Sequence, residues 1–232
     1  MQAIKCELCG GGDLVKQDGM FVCQHCGTKY TLEEARKLLG TVKIDKTDVK
    51  DNNRILARRA MNNKDYADAL RYYDILLSEE PNNWEPYFFS AVCRAMDSKD
   101  LEHEERNVAK LNRILPSAIE LIARYVENPD EQHNALMVVL SALDSFVSAS
   151  TRLAAAYYRE NRKAWDFASG WLYNKTEAYV GLYETFQDAV SFYFPGAQDV
   201  LTQGNLSCRK YVTENRKSIS RKARREISKR MK

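Results

Sequence analysis

The stretch CELCGGGDLVKQDGMFVCQHCG, residues 6–27, places Cys6 and Cys9 in one C-x-x-C pair and Cys23 and Cys26 in another, with thirteen residues between the pairs. Two intervening residues let both thiolates of one tight turn reach a single ion, and two such turns complete a tetrahedral shell. A segment this short cannot bury enough apolar area to offset the entropy of ordering it, so its fold must come from a staple. Gly10 and Gly27 follow the two pairs, where a turn needs positive φ or a close backbone approach to sulfur. Four thiolates fill the shell and leave no position for water or substrate, so the metal is expected to be structural. A pair of disulfides, or a redox C-x-x-C, is the competing reading. No βαβ pattern surrounds the pairs, and the few polar and charged residues before Cys6 leave no room for a secretory signal. His25 lies inside the second turn but is surplus to four cysteines, and an exposed loop histidine is the expectation.

Between the pairs, Leu14–Lys16 and Met20–Val22 flank Gln17-Asp18-Gly19, and Asp-Gly between short apolar runs signals a β-hairpin. A third short strand is expected at Thr28–Tyr30. Spacing and strands together describe a zinc ribbon, with one structural Zn2+ held by Cys6, Cys9, Cys23 and Cys26. Thr31 then reads as a helix N-cap with Glu34 completing a capping box, predicting a short helix to Leu39. Gly40 closes it, and Thr41–Asp45 reads as an extended linker. The predicted organisation is a ribbon with its following helix over 1–39, a linker over 40–52, a helical body over 53–208 and a basic helix or tail over 209–232.

From Asn53 onward apolar residues recur at three and four positions, the helical period. Leu56, Ala57 and Ala60 mark one face of a first helix. Ala69, Tyr72, Tyr73 and Leu76 mark a second, with Asn62-Asn63-Lys64 as the turn and Pro81-Asn82-Asn83 as the end. Leu56, Ala57, Ala60, Ala69, Tyr73 and Pro81 resemble the pattern of a tetratricopeptide repeat, in which small residues allow two helices to pack closely. Asn53 stands where that family usually has tryptophan, and Leu76 where alanine is common. A second repeat starts at Trp84-Glu85-Pro86-Tyr87 with Ala91 in the small position, but the pattern fades near His103–Leu115. Later helices must therefore cap the pair by less regular packing. Pro116 is predicted to open a new helix, carrying Ile119, Ile122, Tyr125 and Val126 up to Asn128-Pro129. A core helix is predicted from about Asp130 to Trp165, presenting Leu136, Val139, Leu140, Leu143, Phe146, Val147, Leu153, Ala154 and Tyr157. Another is predicted from about Thr176 to Phe194, and Pro195-Gly196 separates it from the last. The fold class is mainly α: a small amino-terminal β zinc ribbon followed by a tetratricopeptide-like helical-repeat or irregular α-bundle body. The order of ribbon, linker and helical pair resembles a group of bacterial proteins, common among Firmicutes, and covers residues 1–97 best. That resemblance implies no catalytic residues.

The 232 residues are 44% hydrophobic and 29% charged, an ordinary globular balance that excludes disorder throughout. Ala135–Tyr158 is the most apolar stretch, but Asp144, Arg152 and several serines interrupt it, so no membrane span is expected. Residues 209–232 hold eleven Lys or Arg against Glu214 and Glu226, a net +9 that leaves −6 on the preceding residues of a chain whose overall charge is +3. Within the tail Ile219, Ala223, Ile227 and Met231 recur every four residues among Arg221, Lys222, Arg224, Arg225, Lys229 and Arg230. This narrow amphipathic helix suits nucleic-acid phosphates, an anionic surface or the acidic body. Cys93 and Cys208 read as small packing residues.

Enzyme signatures are missing. Gly10-Gly11-Gly12 lacks the Gly-Lys-Ser/Thr of a phosphate loop, and His103-Glu104 has Asn107 where a zinc protease needs its second histidine. Three histidines, His25, His103 and His133, form no cluster, and Glu102, Glu104 and Glu105 read as a solvated helix face. Tyr66, Tyr72, Tyr73, Trp84, Tyr87, Phe88 and Phe89 are individually core candidates and together the leading candidate for a concave peptide-binding face. The expectation is a cytoplasmic, non-catalytic adaptor that binds protein or peptide partners and no small-molecule substrate. The alternative is nucleic-acid binding through the ribbon and tail.

Overall fold

A computed structural model describes residues 6–17, 20–31, 34, 47–97, 101–160, 165–215, 225 and 229. The chain divides into two compact units, residues 1–49 and 50–232.

In the first unit, β1 (Leu14–Gln17), β2 (Met20–Cys23) and β3 (Lys29–Tyr30) form an antiparallel sheet in that order. Gln17 pairs with Met20 and Leu14 with Cys23, the register of a two-residue hairpin; Asp18 and Gly19 themselves lie outside the described residues. The third strand starts one residue later than expected because Thr28 serves the second cysteine turn: its carbonyl accepts from Cys23 N at 2.9 Å. Gly10 and Gly27 adopt φ of +72° and +75°, the left-handed conformation anticipated after each pair. Among the described residues of this unit Cys6, Cys23 and Tyr30 are buried, with Leu14 and Phe21 packed against them. Both halves of the capping box are present, Thr31 N donating to Glu34 Oε2 at 2.9 Å and Glu34 N to Thr31 Oγ1 at 3.2 Å. The rest of the helix expected to Leu39 lies outside the described residues.

Seven helices are described after the ribbon: α1 (Thr47–Asn62), α2 (Tyr66–Glu79), α3 (Trp84–Met96), α4 (Leu101–Tyr125), α5 (Pro129–Glu160), α6 (Trp165–Tyr193) and α7 (Gln198–Glu214). Helix α1 begins six residues before the expected Asn53, so residues 47–52 are helical rather than linker. Lys50 in this extra length and Arg54 just after it reach Glu80, at 3.6 and 2.7 Å, an anchorage across the α1–α2 pair that periodicity alone does not reveal. The turn falls at Asn62–Lys64 as read, with Asp65 Oδ1 capping α2 through Asp68 N at 3.3 Å. Asn83 caps α3, accepting from Glu85 N at 3.0 Å.

Three further helix boundaries depart from expectation. Pro116 does not open a helix; it lies inside α4. An interior proline costs about 3 kcal/mol, but Val108, Leu111, Leu115, Ala118, Ile119 and Ile122 are all buried on either side of it. Their 3.6-residue stripe runs through the proline and offsets the missing hydrogen bond. The core helix stops at Glu160, and Trp165 belongs to α6, which begins eleven residues before Thr176. Pro129 is the first residue of α5, with Asn128 Oδ1 accepting from Asp130 N at 2.8 Å, the arrangement that favours proline at a first helical position.

Helices α2, α3, α4, α6 and α7 pack in succession, and α5 lies against α3, α4, α6 and α7. Leu136, Val139, Leu140, Leu143, Phe146, Val147 and Ala154 of α5 are buried, as read from sequence, while Leu153 is partly buried. Asp144, which breaks the apolar run in sequence, accepts from Tyr183 of α6 at 2.7 Å and from Ser207 of α7 at 2.8 Å. By length and composition Pro129–Ala156 is apolar enough to cross a membrane, but one face of it forms the core of the helical unit. Replacing Leu143 by Ala is expected to cost about 3 kcal/mol of unfolding free energy, measured by chemical denaturation. Val138→Ala, at a site 44% exposed on the other face, should change stability by less than about 1 kcal/mol.

Candidate metal centre and groove

Two backbone turns of the same design present the four sulfurs. In the first, Cys6 N donates to Gly11 O and Gly10 N to Cys6 O, both at 2.8 Å; in the second, Cys23 N donates to Thr28 O at 2.9 Å and Gly27 N to Cys23 O at 2.8 Å. A further bond, Gln24 N to Asp13 O at 2.8 Å, holds the second turn to the segment entering β1. The ligand atoms of Cys6, Cys9, Cys23 and Cys26 all lie within 4.8 Å of one another. Cys6 Sγ is 3.6 Å from Cys26 Sγ and Cys9 Sγ is 3.6 Å from Cys23 Sγ, two close approaches that run between the turns. A tetrahedral ion with metal–sulfur bonds of about 2.3 Å separates its sulfurs by about 3.8 Å, close to the two 3.6 Å approaches seen here.

Hydrogen bonds and charge point the same way. The Tyr30 hydroxyl lies 3.0 Å from Cys6 Sγ in a buried contact, and Thr28 Oγ1 lies 3.0 Å from Cys26 Sγ. Tyr30 pulls the Cys6 thiol down to about 6 despite the opposing effect of burial, and Thr28 lowers Cys26. Cys9 behaves oppositely: the Gly11 backbone favours its thiolate, yet the neighbouring sulfurs and burial push it up to about 12. Sulfurs this close cannot all carry charge unless a cation sits among them. The cluster is therefore a site that could hold a metal ion, consistent with a structural zinc. His25 is exposed. Gly11 is confined by packing: a Cβ there would meet His25 Cβ at 3.1 Å and Cys9 Sγ at 3.4 Å, so the triple glycine serves the cysteine turn.

Tyr30 and Thr28 were not legible as site residues, because only the register of β3 and the path of the second turn bring their hydroxyls to sulfur. Among the other candidates, Cys93 and Cys208 are fully buried, and burial pushes the Cys93 thiol up to about 12. His133 pairs with Asp199 at 3.2 Å. Glu105 reaches the buried Lys175 of α6 at 3.1 Å, while the side chains of Glu102, His103 and Glu104 lie outside the described residues. In the tail, Arg225 and Lys229 are helical and exposed; Arg221, Lys222, Arg224 and Arg230 lie outside the described residues.

The helical unit carries a groove of about 1320 Å³ between α1–α3 and α5. The aromatic cluster divides across it. Phe88 is buried in the core, Tyr73 and Phe89 stack at 5.4 Å on the floor, and Tyr66 and Trp84 form part of one wall with Met61, Val92 and Met96. The opposite wall is the outer face of α5: Val138, Ser141, Ala142, Ser145, Ser148, Ala149 and Arg152. Glu85, nearly buried at the α3 start, takes a two-pronged bond from Arg58 at 2.7 and 2.6 Å. Glu80, Glu85 and Glu131 gather near the starts of α3 and α5, whereas Lys64 and Arg152 lie toward the other end.

No known family model matches the chain, and no curated protein or solved structure shows significant similarity to it.

Two outcomes are expected of the metal centre. Chelation, or Cys23→Ser, should abolish the dispersed amide signals of residues 6–31 in an NMR spectrum. The helical signals of residues 50–215 should persist, because the two units have separate cores. Tyr30→Phe keeps the ring but removes the hydroxyl bonded to Cys6. It should weaken zinc binding about 10- to 100-fold in competition with a chromophoric chelator.

Proposed function

We propose that this protein is a cytoplasmic, non-catalytic adaptor, in which a zinc-folded ribbon and a tetratricopeptide-like helical body present surfaces to protein partners. The observation that carries the reading is the groove. It pairs an aromatic and methionine-lined wall with a wall of small side chains, a shape that admits an amphipathic helix and can re-pack around different apolar anchors. The metal in this reading is zinc, since four thiolates at tetrahedral spacing suit a soft, redox-inert ion. With its shell closed by Cys6, Cys9, Cys23 and Cys26 it folds the ribbon and offers no position to a substrate.

Val138 sits on the open wall, exposed to solvent, and can be changed without entering the core. A Val138→Arg variant should fold normally by circular dichroism and lose at least about tenfold of its affinity for partners that the native chain captures. Captured proteins that bind this variant as well as the native chain would remove the groove from the account. A titration with generic duplex and single-stranded nucleic acid at about 50 and 200 mM salt separates the alternative. Tight binding that weakens steeply with salt, and is lost when Arg225 and Lys229 become Glu, would replace the adaptor by a nucleic-acid-binding protein.

A further inference from the structure

We infer that the groove takes one class of partner segment: an amphipathic helix lying parallel to α5, with acidic residues in its last turn at the end of the groove marked by Lys64 and Arg152. The inference rests on the groove reading above and adds the occupant's charge pattern and direction.

The walls select a helix over an extended segment. They are faces of helices, whose mid-helix N–H and C=O groups are already bonded within the element. An extended segment laid between them would lose water from its own backbone groups and gain no partners, whereas a helix arrives with those groups satisfied. Ser141, Ala142, Ser145, Ser148 and Ala149 border the groove along α5, and small side chains three and four positions apart let a second helix come close. Met61 and Met96 on the facing wall adapt to the shape of apolar anchors. From Glu131 to Arg152 the α5 wall runs about 32 Å at about 1.5 Å per residue, the length of a helix of about five to six turns.

Charge gives the occupant its polarity. Of the ionised side chains that border the groove, Glu85 is held by Arg58, and Glu80 by Arg54 and Lys50, so these acids are neutralised within the protein. Among the described residues Lys64, Arg152 and Glu131 make no ion pair, and all three are exposed. The two cations share one end. Burial raises the Tyr66 hydroxyl and the Arg152 guanidinium opposes that effect, which puts Arg152 near Tyr66 and hence near Lys64, two residues earlier in the chain. Arg152 donates to Ser148 Oγ at 2.8 Å, a bond that engages one of its N–H groups and leaves the others for an anionic ligand.

A helix with its carboxyl-terminal end beside Lys64 and Arg152 sets the negative pole of its dipole, and its last-turn acidic side chains, against the two cations. Its amino-terminal N–H groups then fall beside Glu131. The reverse direction would bring like poles together at both ends.

The test uses the full chain and two fluorescein-labelled peptides of about 18 residues, each held helical by a hydrocarbon staple and each carrying the same stripe of leucines three and four positions apart. One peptide has a lysine pair in its first turn and a glutamate pair in its last; the other has the pairs exchanged. Fluorescence polarisation should show the first binding about tenfold more tightly, the effect of matched charge at both helix ends. Arg152→Gln combined with Lys64→Asn should abolish that preference, asparagine being chosen because Lys64 has φ of +62°. Val138→Arg should weaken both peptides about tenfold. Equal affinities for the two peptides, or a preference that survives loss of both cations, would overturn the inference, and if Val138→Arg still weakens them the groove reading stands without the charge pattern. Binding of neither peptide, while partner capture stays sensitive to Val138→Arg, also overturns it and leaves the adaptor reading in place. A dimer of the chain that Val138→Arg disperses would put a second copy in the groove and overturn it as well. Preferential binding of the first peptide by a chain that captures no cellular partner supports the occupant and removes the recruiting role instead.

Discussion

The supply of apolar surface decides how each half of this chain holds together. In the helical unit α5 contributes at the centre of a core shared by all the helices: its buried face touches four other helices, and Leu136, Val139, Leu140, Leu143, Phe146 and Val147 are removed from water at once. Burying a side chain of this size contributes about 2 kcal/mol, so one helix face supplies much of the drive against which chain entropy works. Asp144 then fixes α6 and α7 against that face through two hydrogen bonds that only one rotation of α5 permits. The same rotation sends Val138, Ser141 and Ser148 outward, so the groove wall is a geometric consequence of the core.

The ribbon has no such resource. Among the described residues of the ribbon three are buried, two of them cysteines, too few to stabilise a three-stranded sheet, and coordination by the four sulfurs would supply the missing drive. Its architecture is arranged for that purpose: two matched turns, each closed by a left-handed glycine, put the four sulfurs at tetrahedral separation. Tyr30 and Thr28 then add hydroxyl contacts that favour the thiolate forms of Cys6 and Cys26. An ion held by all four sulfurs would have a filled tetrahedral shell, the arrangement of a structural site.

What could be read from the sequence follows from how local each signal is. Cysteine spacing, the Asp-Gly hairpin, the capping box at Thr31 and Glu34, and the buried stripe of α5 each depend on residues within a turn or two, and they stand in the structure. Signals that depend on distant partners did not show. Pro116 reads as a helix start because its cost is local while the stripe that offsets it spans fifteen residues of α4. Residues 165–175 include Ser169, Gly170 and Asn174, weak helix formers, and nothing nearby announces that α6 runs through them. Asp144 looked like an interruption, and its two hydroxyl partners lie 39 and 63 residues away. The aromatic residues announced a surface or a core, and the structure divides them between both.

Zinc-edge X-ray absorption on the purified full-length chain tests the closed centre most directly. The account predicts a first shell of four sulfurs at about 2.3 Å, with no nitrogen or oxygen scatterer and no change on adding small ligands. A shell containing a light-atom ligand or an exchangeable water, or a chain whose ribbon is ordered with no metal bound, would contradict it.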